Sequence, residues 1–188
     1  MVNNQYFNTK AIVIKRRVYR ESDLIVTLLT ENFGKIVAIA KSAKSIRSSR
    51  GSSLQLGNTI FVQLYHKNNF YWISETRIID HLLKNNKKLV QLNLLFLVLE
   101  IADYLVADNQ QIDGIYQQFL SMITSIESNN FYSFIKHEMD ILEILGFGVP
   151  PEIYLSFSQK NYSETQSLLK KYFESILEKK LSSSELFN

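Results

Sequence analysis

The chain has no cysteine, which excludes disulfides, thiolate metal sites and cysteine nucleophiles. Histidine is nearly as scarce. His66, His81 and His137 lie too far apart in sequence to suggest a ligand cluster. Proline occurs only as Pro150-Pro151, so no proline interrupts the first three quarters of the chain. The longest apolar run, Leu94–Leu99, falls far short of the ~20 residues that cross a bilayer. Met1–Asn8 is polar and shows no secretory leader pattern, so the expectation is a soluble, cytoplasmic protein with no membrane partner. Glycine-rich phosphate loops are missing too: Gly34-Lys35 lacks the preceding glycine of a Walker motif. No residue set suggests catalysis. Ser22-Asp23 has no histidine nearby, and His137-Glu138 has Ile141 where a metalloprotease helix carries its second histidine. The expectation is therefore a protein without catalytic residues, metal or cofactor.

What is present is an uneven charge. Residues 1–88 hold 15 Lys and Arg against 5 Asp and Glu, a net of +10, whereas residues 89–188 hold 6 against 13, a net of −7. The split suggests two modules, and a basic module attracts polyanions. The apolar period changes at the same place. Ala11–Ile14, Leu24–Leu29, Ile36–Ala40, Thr59–Tyr65 and a run from Phe70 to Ile79 read as five short strands. Asn68-Asn69 reads as a tight turn between the last two, because Asn tolerates positive φ. Several runs are apolar on both alternations, as in a closed, covered barrel.

Beyond residue 88 the helical period takes over. Leu89–Val106, Ile112–Ile123, Phe131–Leu145 and a stripe from Leu168 to Leu177 predict about four helices. Gly146 caps the third and Pro150-Pro151 stops it, while Ser163 and Gln166 read as a capping box for the fourth. The fold expected is α+β: a five-stranded OB-type barrel over residues 1–80, then a helical domain over 81–188.

OB barrels bind oligonucleotides on strands 2 and 3 and the adjoining loops. The segment from Lys41 to Gly51 offers such a loop, with Lys41, Lys44, Arg47 and Arg50 spaced every three residues among serines. No acidic residue occurs between Glu31 and Glu75. Lysines and arginines on a serine-rich loop follow a phosphate backbone without demanding one geometry. The DNA-binding set expected is Lys35, Lys41, Lys44, Arg47 and Arg50, with Arg16 and Arg17 at the end of the first strand. Tyr19, Phe33, Phe61, Tyr65, Phe70, Tyr71 and Trp72 are all able to stack on bases, although core packing is the commoner role for each. Tyr65 and Tyr71 are preferred, since they sit opposite aliphatic neighbours. A protein-interaction module with an acidic partner, or an RNA-binding OB module, is the alternative reading. Nothing in the sequence reads a 2′-hydroxyl.

Thr9–Ile14, the segment Tyr19-Arg20-Glu21-Ser22-Asp23-Leu24, then Gly34-Lys35-Ile36, Ala40-Lys41 and Leu54-Gln55-Leu56-Gly57 together resemble the RecO family of bacterial DNA repair proteins. The second half matches more loosely, chiefly at Asp140–Pro150, where Leu142-Glu143-Ile144-Leu145-Gly146-Phe147 resembles a helical segment of the same family. The resemblance implies an OB-fold followed by helices, binding of single- and double-stranded DNA, and annealing of complementary strands. It implies partnership with RecR and with single-stranded DNA-binding protein, and indirectly with RecA, in a nucleoid-associated setting. Lys44, Arg47 and Arg50 fall at the family's basic loop positions, and Ser42 replaces a glycine common there. The four-cysteine zinc site of many members is excluded here. The chain also looks shorter at its C-terminal end than most members.

Overall fold

The computed structural model describes residues 5–44, 49–81 and 88–181. The chain divides into two compact units. The first is a closed barrel of β1 (Tyr6–Tyr19), β2 (Asp23–Thr30), β3 (Gly34–Ala40), β4 (Thr59–Lys67) and β5 (Phe70–Asp80), in the order β1-β2-β3-β5-β4. Neighbours are antiparallel except β3 and β5, which close the barrel in parallel through Ala38↔Tyr71 and Ile39↔Trp72. This is an OB-type barrel. Alternation decides its inside: Leu24, Val26 and Leu28 of β2, Ile36, Ala38 and Ala40 of β3, and Ile60, Val62 and Leu64 of β4 share one buried cluster.

Asn68 and Asn69 both take positive φ, 51° and 61°, so the β4–β5 turn has the twist that two-residue hairpins favour. The register of β1 on β2 shifts between Val13 and Lys15, a bulge that re-aims the basic end of the strand. The basic segment after β3 is not all loop. Ser49–Ser53 forms a short helix, α1, and Ser53 Oγ lies 2.6 Å from Thr76 Oγ1 on β5.

The second unit holds α2 (Leu89–Leu105), α3 (Ile115–Glu127), α4 (Phe131–Ile144), α5 (Pro151–Ser158) and α6 (Tyr162–Leu177). That is one helix more than the period predicts. Pro150-Pro151 does end the chain's run after α4, but Pro151 then starts α5, where its missing N–H costs nothing. Gly146, at φ +80°, donates to Glu143 O while Phe147 donates to Leu142 O, a paired closure of α4. The expected capping box at Ser163 and Gln166 does not form. Helix α6 begins earlier, at Tyr162, and Gln166 instead donates to Glu138 of α4.

Residues 107–111, between α2 and α3, group with the barrel rather than with the helices. Asp108 makes a parallel bridge to Lys35, and the Asn109 amide donates to Lys35 O at 2.8 Å. Gly34 permits this, since a Cβ there would lie 2.0 Å from Gln110 O. None of the described helices is long and apolar enough to cross a membrane.

Candidate nucleic-acid interface

Strand alternation that buries one side of β2 and β3 turns Ile25, Val37 and Ile39 outward. These three floor a groove of about 670 Å³. Arg17, paired with Ile25 across the β1–β2 ladder, stands on one wall beside Tyr19 and Arg20. The β4–β5 hairpin supplies the other wall through Phe70, Tyr71 and Trp72. Phe70 is 56% exposed, so its ring is open to a ligand. Trp72 is fixed by a bond from its indole N–H to Lys67 O, and Lys41 Nζ lies 5.1 Å from the ring centre. Asp23, His66, Asn68, Asn69, Asp108 and Asn109 also line the groove.

The groove can hold an extended polyanion whose bases stack. Guanidinium groups meet phosphates, and aromatic faces accept any base. The floor is apolar, so it offers no base-specific hydrogen bonds. Arg20 takes φ +55° and lies 5.2 Å over the Tyr19 ring, which keeps its charge beside that of Arg17 at one mouth.

The predicted residues fall into three places. Arg17 and Tyr71 line the groove, and Lys41 adjoins it through Trp72. Lys44 is exposed on the loop and Arg50 half-buried in α1, and neither lines the groove. Arg16 turns toward the segment after α1, donating to Gln55 Oε1 at 2.6 Å and to Leu54 O. Arg47 lies outside the described residues. The loop is held at its start: Asp23 accepts from the Ser42 amide at 2.9 Å, and Ser22 O accepts from the Lys44 amide. The Ser22-Asp23 pair thus anchors the start of the basic loop.

Two predicted residues sit elsewhere. Lys35 is buried, its side chain 8% exposed, with Nζ 3.1 Å from Asp108 Oδ1. Its ammonium faces a carboxylate of the barrel's own strap, not an open surface. Tyr65 lies behind Trp72, stacked on it at 6.4 Å and 16°, and also meets Tyr6 at 5.4 Å. It supports a groove wall instead of lining it. Arg20 and Asn109 were not singled out by the sequence. Arg20 follows β1 in a left-handed turn conformation, outside the i, i+2 alternation that puts Arg17 and Tyr19 on one side, and no local pattern marks it or Asn109.

Among the described residues no three His, Asp or Glu side chains gather as a metal site. Residues 2–82 match the family model "Recombination protein O N terminal". The chain is 25% identical over 174 residues to the DNA repair protein RecO of Clostridium perfringens, covering 89% of this chain and 69% of that protein. It is 42% identical over 74 residues to that of Clostridium novyi, covering 39% and 29%. With that of Thermoanaerobacter it shares 22% over 142 residues, covering 74% and 57%. The chain spans between 20% and 69% of the length of these and similar relatives.

Proposed function

Because the chain is a relative of the DNA repair proteins RecO and carries their N-terminal domain at residues 2–82, we propose that it serves DNA repair and recombination by binding DNA without catalysis. A single strand lies along the groove on β2, β3 and β5, its phosphates on Arg17 and Arg20 and its bases against Phe70, Tyr71 and Trp72. The loop cations Lys41, Lys44, Arg47 and Arg50 take the backbone as it leaves, and they are suited to a duplex as well. Holding two strands on adjoining surfaces supports annealing. RecR and single-stranded DNA-binding protein are the partners this reading carries over from the resemblance, with RecA loading as the downstream event.

The observation that supports the reading is the coincidence of cations and exposed aromatics on the strand 2–3 face of a closed five-stranded barrel. That face is where OB folds take oligonucleotides. The test is the double variant Arg17→Glu, Arg20→Glu. Both residues are exposed, so melting temperature should hardly move. Affinity for labelled oligothymidylate should fall by about tenfold or more at low salt. Unchanged affinity in the folded variant moves the site off this face. Stronger binding of an RNA of the same sequence favours the RNA-binding alternative.

A further inference from the structure

The outward residues of β3 are Lys35, Val37 and Ile39, because Ile36, Ala38 and Ala40 fill the barrel. Val37 and Ile39 floor the groove. Lys35 continues the same line about 7 Å further along the strand. It is a cation on the nucleic-acid path, yet it is buried. What holds it is Asp108, at 3.1 Å, whose own side chain is 60% exposed. The pair is therefore covered on the lysine side and open on the carboxylate side.

The strap carrying Asp108 is fixed by backbone, not by the ion pair alone. Asn109 N–H donates to Lys35 O, and Gln110 lies against Gly34, where no Cβ blocks it. Asp108 is thus positioned by its chain, and it also stands on the groove rim with Asn109. A carboxylate and a phosphate are interchangeable anionic acceptors for an ammonium. A strand extended beyond Val37 brings a phosphate to the open side of this pair and repels Asp108 there.

We infer that Lys35 is a latent phosphate site, occupied in the free protein by Asp108, and that a bound single strand takes the carboxylate's place. The inference rests on the groove reading above and sets its length dependence. A short oligonucleotide fills the open groove and leaves the pair intact; a longer one must displace Asp108 to gain the extra contact.

The experiment uses the full chain and labelled oligothymidylates of about 4 and about 16 nucleotides, the limits of one OB-fold site. Asp108→Asn preserves shape at an exposed position. It should raise affinity for the longer strand about threefold or more at low salt and steepen the log–log salt slope by about 0.7, one more phosphate contact. The shorter strand should gain less. Combining Asp108→Asn with Lys35→Met, which keeps the apolar stem, should abolish both gains. If the gains persist once the lysine charge is removed, Asp108 acts only by long-range repulsion and the latent site is refuted. No gain at all refutes it equally. If Arg17→Glu, Arg20→Glu also leaves binding unchanged, the groove reading fails and the inference with it; a sensitive arginine pair beside an inert Asp108→Asn overturns the latent site alone.

Discussion

Among the described residues, Glu138 is the one whose chemistry departs furthest from its type. It is fully buried in α4, its Oε1 accepts from Gln166 Nε2 at 3.0 Å, and its Oε2 is buried with no partner among the described residues. Burial pushes the carboxyl up from 4.5 to about 8, while the Gln166 bond pulls the other way. Between those values the folded chain keeps a proton that the unfolded chain has lost. Stability from this group is complete below pH 4.5 and is lost as pH rises toward 8. His137, on the same helix, acts in the opposite sense. Burial lowers its pKa against the raising effect of Asp140, so its contribution is lost as pH falls. Glu138→Gln should therefore remove most of the loss of melting temperature on the alkaline side; a wild-type melting temperature flat from about pH 5 to about pH 9 would sink the assignment. Phe70 permits a second test at this scale. Its ring is mostly exposed, so Phe70→Ala should leave the melt nearly unchanged. A lost stacking contact is worth about 1–3 kcal/mol, seen as weaker binding of single strands. Equal affinity would show that the ring meets no base.

Among the elements, the basic segment after β3 matters most. It is anchored at Ser42 and Lys44, and Arg50 sits in α1. Replacing Lys44, Arg47 and Arg50 together by Glu should lower DNA affinity at least tenfold at low salt and flatten the salt slope for single strands by about 2, three contacts at roughly 0.7 each. Fluorescence anisotropy at several salt concentrations reads both quantities. A folded triple variant with wild-type slope would place the contacts elsewhere. The β4–β5 hairpin was legible because Asn-Asn states its own backbone geometry, and both residues do take positive φ. Helix α1 was not legible: Ser-Arg-Gly-Ser-Ser has no apolar period, and its place depends on Ser53 meeting Thr76 on a distant strand.

For the chain taken together, the opposed charges of the two halves predict where DNA affinity resides. A fragment of residues 88–188 carries the acidic excess and should bind oligonucleotides far more weakly than the full chain. Comparable binding in a filter assay would contradict the electrostatic argument. A chain without cysteine should also keep its melting temperature in the presence of a strong chelator. A drop of several degrees would reveal a metal held by oxygen and imidazole ligands.

Five strands, most of the helices, the tight hairpin turn and the charge division follow from residue order alone. Each is written in local terms: alternation at i, i+2, periodicity at i, i+3 and i+4, turn residues whose φ preferences act on their own backbone. Arg17 and Tyr71 could be named for the same reason. Packing between distant segments, by contrast, is what covers Lys35, turns Trp72 rather than Tyr65 to the groove, and joins residues 107–111 to the barrel. The pairings responsible are β3 with β5 and Lys35 with Asp108. They form because the barrel closes and a glycine leaves room beside it, and neither event alters the local pattern from which a sequence is read.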